Sequence, residues 1–273
     1  MTASPLPSPP TEFIVTKEYR RFAEFCDACR DSRYIGLCYG VPGVGKTVSA
    51  RHYAHWDELD QLLGPPPYRY AGIPPRARGP WQTVLYTPGV TNTPRTVARE
   101  VDSLWAAVIG VAVRATWHAN EHTAGARPPP PDLLIVDEAD RLKTASLEQL
   151  RDVYDRGHVG LILIGMPGLQ KRLARYAQLY SRVGFVHQVR PLSGQELQGV
   201  IERQWVQLGL DVALDDPPDP AVLNAIARVT GGNFRLVERL FAQIKRVLVI
   251  NELPTVTTDV VVVARERLVT GPP

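Results

Sequence analysis

The chain has 273 residues, is 44% hydrophobic and carries a formal net charge of +3, values that suit one large α/β domain with a small satellite and exclude disordered and collagen-like classes. No basic start leads into an apolar run and no stretch nears the roughly 20 apolar residues of a membrane span, so a cytoplasmic protein is predicted, and three cysteines are too few for a disulfide framework. The small positive charge decides nothing about nucleic acid, and the shortage of lysine among the 31 basic residues fits a GC-rich genome as well as phosphate recognition.

Residues 1–12 are rich in Pro and Ser and are predicted to form a flexible tail, as are 269–273 at the other end. Next comes the apolar stripe Tyr19, Phe22, Ala23, Cys26 and Cys29, which has helical spacing and absorbs the Cys26-x-x-Cys29 pair. No second Cys or His pair stands at zinc spacing, so these thiols are read as core. A buried strand over 34–39 and a helix over 47–54 flank Gly40-Val41-Pro42-Gly43-Val44-Gly45-Lys46-Thr47, which fits G-x-x-x-x-G-K-[ST] without a mismatch. That spacing builds a nest of backbone N–H groups for phosphates at a helix N-terminus. A nucleoside triphosphate site is predicted from Gly40, Pro42, Gly43, Val44, Gly45, Lys46, Thr47 and Val48, with Lys46 on the β- and γ-phosphates and the Thr47 hydroxyl on Mg²⁺.

A proline-rich loop over 64–80 follows, carrying Arg69, Arg76 and Arg78; it reads as an insertion or as a contact surface. Strand 83–86 leads to Thr93, which caps a helix with Pro94 at its first position and Val97, Val101, Leu104, Trp105, Val108 and Ala112 on one face. After the prolines at 128–131 comes the strand 133–136, ending in Asp137-Glu138. Two carboxylates at the end of a buried strand beside a phosphate loop form a Walker B element: Asp137 is a metal ligand and Glu138 the general base for the attacking water. A helix near 146–156 and strands 160–164 and 185–189 complete five strands alternating with helices, which implies a parallel, doubly wound sheet.

From Ser193 onward only helices are expected. Ser193 and Glu196 fit a capping box, and Leu197, Val200, Ile201, Trp205 and Leu208 share a face. Further helices are predicted at 220–230, 234–249 and 258–268, although the run 260–263 would also suit a strand. The expected division is thus a nucleotide-binding α/β unit over 13–191 and a helical lid over 192–268. The histidine pairs His52/His55 and His118/His122 have helical spacing but no third ligand nearby, so no metal site is expected there.

Walker A, an Asp-Glu Walker B, five strands and a following helical lid resemble the AAA+ ATPases over about residues 13–268. The resemblance implies that Arg182, just before the fifth strand, is an arginine finger for a neighbour's γ-phosphate, and that Arg235, opening a lid helix, is the sensor-2 arginine. The sensor-1 position departs from the family pattern, reading Gly165-Met166-Pro167, which implies slow turnover. The stretches 35–47, 85–88 with 92–95, 134–143 and 165–169 look more narrowly like the transposition ATPases of the TniB, TnsC and MuB type. These imply an ATP- and Mg²⁺-dependent homo-oligomer, ring or helical filament, on non-specific duplex DNA that recruits a transposase. Their DNA contacts map here onto Arg95, with Thr96 and Arg99 nearby; an arginine in a helix's first turn also wants an anionic partner. The alternatives are a replication initiator or helicase loader, a secretion or signalling ATPase, and a nucleotide switch without hydrolysis.

Overall fold

Four short apolar runs are buried on every side or nearly so, as strands of a parallel sheet covered by helices on both faces must be. They are β1 (Ile35–Tyr39), β2 (Thr83–Tyr86), β3 (Leu133–Val136) and β4 (Gly160–Gly165). In this computed structural model, which describes residues 13–63, 81–119, 129–206, 208 and 219–268, the five-stranded parallel sheet has the order β2-β3-β4-β1-β5. At one edge, β5 (Val183–Gln188) alternates between half-buried and exposed residues, because only one of its faces is covered. The expected tails, Arg69, Arg76, Arg78 and the His118 and His122 side chains lie outside the described residues.

The helices preceding or joining these strands are α1 (Lys17–Ser32), α2 (Lys46–Tyr53), α3 (Trp56–Leu63), α4 (Pro94–Ala119), α5 (Thr144–Gly157), α6 (Leu169–Leu173) and α7 (Ala177–Tyr180). Cys26 and Cys29 on α1 and Cys38 on β1 are fully buried, and burial pushes all three thiols up, Cys29 to about 12, so they stay protonated and inert. The Thr93 cap is present, its Oγ1 accepting from Thr96 N at 3.2 Å. Helix α3 is not anticipated by the sequence pattern: His55 turns left-handed at φ 50°, ending one helix and letting Trp56, Leu59, Leu62 and Leu63 bury as a second.

A separate apolar cluster joins α8 (Gly194–Val206), α9 (Pro220–Thr230), α10 (Phe234–Ile250) and α11 (Thr258–Glu266). The run 260–263 is helical: Thr257 caps it, and Val260, Val261 and Ala264 face α9 and α10 where no strand edge offers pairing. The predicted capping box is corrected, since the Glu196 carboxylate accepts instead from Lys17 N at 2.6 Å, tying α8 to the start of α1. The helical unit is pinned at Gly232, whose backbone accepts from Leu192 N at 2.9 Å. A Cβ at Gly232 would stand 1.9 Å from Leu192 O, and its φ of +75° also favours glycine.

Candidate nucleotide site

Parallel strands bring their carboxyl ends to one edge, and the predicted phosphate loop leaves β1 at that edge. Gly45 caps α2 at φ 95°, so backbone N–H groups open toward the loop. Gly43 must be glycine: its φ is +83° and a Cβ would meet Asn233 Oδ1 at 2.4 Å. The closeness reflects a direct link to the start of α10, in which Asn233 Nδ2 donates to Pro42 O at 2.7 Å and Arg235 N to Gly43 O at 3.2 Å. The Lys46 ammonium folds back onto its own loop, donating to Gly40 O at 2.6 Å and Val41 O at 2.9 Å, and burial pulls it below the ordinary lysine value. It occupies backbone acceptors that a phosphate would replace.

Thr47 and Asp137, ninety positions apart, meet through a hydrogen bond from Thr47 Oγ1 to Asp137 Oδ2 at 2.6 Å. Asp137 is 3% exposed, and its other oxygen accepts from Glu138 N at 2.9 Å. A buried carboxylate beside a hydroxyl is a donor set for a hard cation, so these two residues fit Mg²⁺. Glu138 takes a left-handed backbone at φ 53° and forms an ion pair with Arg141. Asp140, which no sequence motif singles out, accepts from Met166 N at 2.6 Å and fixes the end of β4 to the Walker B turn. The thioether of Met166 offers the cleft no strong hydrogen-bond donor.

These groups line one cleft of about 710 Å³ that continues past the phosphate loop to Phe13, Ile14, Tyr19 and His52. Phe13 stacks on His52 at 3.7 Å between ring centroids with planes 8° apart, and Tyr19 stands edge-on to both. Burial lowers the pKa of His52, which favours the neutral ring in this aromatic corner. Sequence reasoning missed it because aromatics at 13, 19 and 52 carry no spacing signal. The described residues hold no group of three metal-ligating side chains around His52 and His55.

Val44 is buried in the loop, Val48 is 57% exposed one turn into α2, and the Arg235 side chain also lines the cleft. Arg182 does not join them. Its carbonyl accepts from Ile35 N at the amino end of β1, a strand length of roughly 16 Å from the phosphate loop. Its guanidinium grips Asp155 at 2.6 and 3.0 Å and also donates to Gln178 O. Arg95, Thr96 and Arg99 occupy the first turns of α4, where Arg95 and Arg99 are exposed, Thr96 is half-buried and no acidic residue stands in the first turn.

The AAA domain family matches residues 29–173, more than half of the chain. A Staphylococcus aureus protein described as a potential ATP-binding protein is 41% identical over 268 residues, covering 95% of this chain and 97% of that protein. The Mu-like prophage FluMu DNA transposition protein B of Haemophilus influenzae is 25% identical, covering 84% of this chain and 71% of that protein. The ATP-dependent target DNA activator B of Escherichia phage Mu is 27% identical over 65% of this chain and 51% of its own length. Among solved structures, the RuvB Holliday junction branch migration motor of Thermotoga maritima superposes with a TM-score of 0.57 at 18% identity, over 95% of this chain and 72% of that one. That likeness is one of fold.

Proposed function

This chain belongs to the AAA domain family and is an ATPase whose relatives include the Mu-type B proteins, and on that premise we propose that it assembles with ATP on duplex DNA of any sequence and directs a transposase to it. Lys46 and the loop N–H groups bind the β- and γ-phosphates. Thr47 and Asp137 are the residues that would hold Mg²⁺, which neutralises bridging phosphate oxygens when bound. Glu138 takes a proton from the attacking water, and Arg235 reaches the γ-phosphate from the lid. Arg182, too far from its own phosphate loop, serves the site of the next protomer. A helical lid over 192–268 moving against the α/β unit over 13–191 would carry nucleotide state into assembly, in the cytoplasm where DNA is available.

The observation that supports the DNA-binding reading most is the exposed Arg95 and Arg99 pair on the first turns of α4, at the same sheet edge as the nucleotide cleft. Contacts of that kind go to phosphates, so binding should be independent of sequence and steeply dependent on salt. Random duplexes should bind alike in ATP and weakly in ADP, with electron microscopy resolving rings or helical filaments. Arg95→Ala should flatten the slope of log affinity against log salt by about one for each phosphate that is no longer neutralised, and leave nucleotide affinity unchanged. Failure of the ATP-loaded protein to bind duplex DNA at low salt would remove the transposition reading. The phosphate assignment falls separately if Lys46→Ala binds ATP as the wild type does.

A further inference from the structure

The water that attacks a γ-phosphate carries two hydrogens, and a fixed line of attack calls for an acceptor for each. Glu138 serves as one in the reading above. The end of β4 faces the same cleft, but Met166 stands there, 39% exposed, and its thioether is only a weak acceptor. A carboxylate from another element fills the place. Asp140, in the 3₁₀ turn Ala139–Arg141 that follows the Walker B strand, accepts from Met166 N at 2.6 Å through Oδ2. Gly165 admits it: a Cβ there would stand 2.4 Å from that oxygen and 3.0 Å from Asp140 Cγ. Neither nearby guanidinium pairs with the carboxylate. Arg172 donates to the main-chain oxygens of Asp140, at 2.8 Å, and Leu142, while Arg141 is engaged by Glu138 and by Pro88 O at 3.0 Å in the loop 87–93. The bond to Met166 N uses one of about four lone-pair positions that a carboxylate offers, so Asp140 keeps acceptor capacity in the cleft that it lines together with Lys46, Glu138 and Met166. Its charge reaches Lys46, where with Cys38 and Asp137 it offsets part of the lowering that burial imposes on the ammonium.

We infer that Asp140 is a catalytic residue of the ATPase, whose carboxylate accepts the second hydrogen of the attacking water and so sets its line to the γ-phosphorus. The division of roles rests on Glu138 as the base; the acceptor role of Asp140 does not. In the step, the water oxygen bonds the γ-phosphorus while the bond from that phosphorus to the bridging oxygen breaks, its electron pair staying with ADP. One water proton passes to Glu138. The other stays on the oxygen that becomes a phosphate hydroxyl, donating to Asp140. A charged acceptor holds such a hydrogen about twice as strongly as a neutral one. The same charge repels the γ-phosphate of bound ATP, a cost that the nearby Lys46 ammonium reduces. Removing the charge should therefore slow the chemical step and leave ATP binding unchanged or tighter, a combination that loss of a merely structural contact does not produce.

The test is single-turnover hydrolysis of ATP with Mg²⁺ by the full chain, with ATP affinity and melting temperature measured in parallel. The proteins compared are the wild type, Asp140→Asn, Asp140→Asn combined with Met166→Asn, and Glu138→Gln. Asparagine keeps the shape and an oxygen for Met166 N, but turns the second acceptor into an N–H donor. Asp140→Asn should lower the rate roughly ten- to hundred-fold, the range of one hydrogen bond to a charged group, with ATP bound as tightly as by the wild type or tighter. Adding Met166→Asn returns an acceptor from the end of β4 and should recover part of the rate. If Asp140→Asn fails to fold, Asp140→Ser, small enough for the Gly165 face, should show the same loss. A wild-type rate in folded Asp140→Asn, or a fall in rate matched by weaker ATP binding, overturns the inference. A slow Asp140→Asn beside a wild-type rate in Glu138→Gln upholds Asp140 as the water's acceptor and removes Glu138 as the base.

Discussion

The two ends of the sheet use charge to different extents. At the amino end arginines are spent on carboxylates of the same chain: Arg30 pairs with Asp132 at 2.9 Å, donates to Thr83 Oγ1 at 2.6 Å and covers the Tyr53 ring. Arg182, Asp155, Arg151 and Glu148 form a continuous network there. At the carboxyl end Lys46 bonds carbonyls and Asp137 bonds a hydroxyl and an N–H, while the ion pair there, Glu138 with Arg141, is half-exposed. Neutral partners can be exchanged for phosphate or a cation, whereas breaking a charge-assisted pair leaves two ions to be satisfied. One end is therefore closed by its own contacts and the other is arranged to receive a ligand.

The largest expected effect comes from the open end. If Glu138 is the base proposed above, Glu138→Gln should keep ATP binding and lower hydrolysis by roughly 10² to 10⁴, because the proton acceptor is removed while shape is kept. Unchanged turnover in a rate assay would move the base elsewhere.

Arg182 is where the comparison can break. If it acts in trans, Arg182→Ala should lower hydrolysis by about 10³ with single-protomer nucleotide affinity retained. Mixing that variant with Glu138→Gln should restore some activity at interfaces that combine an intact finger with an intact base. If Arg182 only braces Asp155, hydrolysis should persist, the melting temperature alone should drop, and the mixture should add nothing.

Arg30→Ala sharpens the contrast from the closed end. Removing its hydrogen bond to Thr83 and its ion pair with Asp132 should cost about 1 kcal/mol, a fall of roughly 2–4 °C in melting temperature for a domain of this size. ATP affinity by titration should stay within about two-fold of wild type. A larger change in affinity would mean that the two ends are coupled.

The smallest effect is one of pH. His187 lies against Phe25 with ring centroids 5.4 Å apart, and burial pulls its pKa below 6.5 despite Glu18 nearby, with Arg21 adding to the shift. The folded state then resists a proton that the unfolded chain accepts near pH 6.5, so stability is full above that pH and declines as pH falls below it. His52 shifts in the same direction. Melting temperatures at pH 7.5, 6.0 and 5.0 should fall in that order, and His187→Phe should shallow the decline.

Local signals carried much of this protein. The glycine-rich loop after β1, the Asp-Glu strand end and the stripes of α1, α4 and α8 were legible because glycine torsions, strand burial and a 3.6-residue period act over a few neighbouring positions. Contacts between distant segments left no such trace. Thr47 and Asp137 could be assigned to one ion from motifs, but their 2.6 Å hydrogen bond exists because β1 and β3 flank β4 in the sheet. The Glu196 contact to Lys17, the Phe13–His52 stack and the Asn233 link to Pro42 join segments whose spacing in the chain says nothing of their meeting. Arg182 and Arg141 make the division plain. The sequence alone determined which residue types stand at those positions, while the packing of α5 against the sheet and of the loop 87–93 against the Walker B turn decided their partners, because side-chain charge selects among neighbours only after the backbone has brought them within reach.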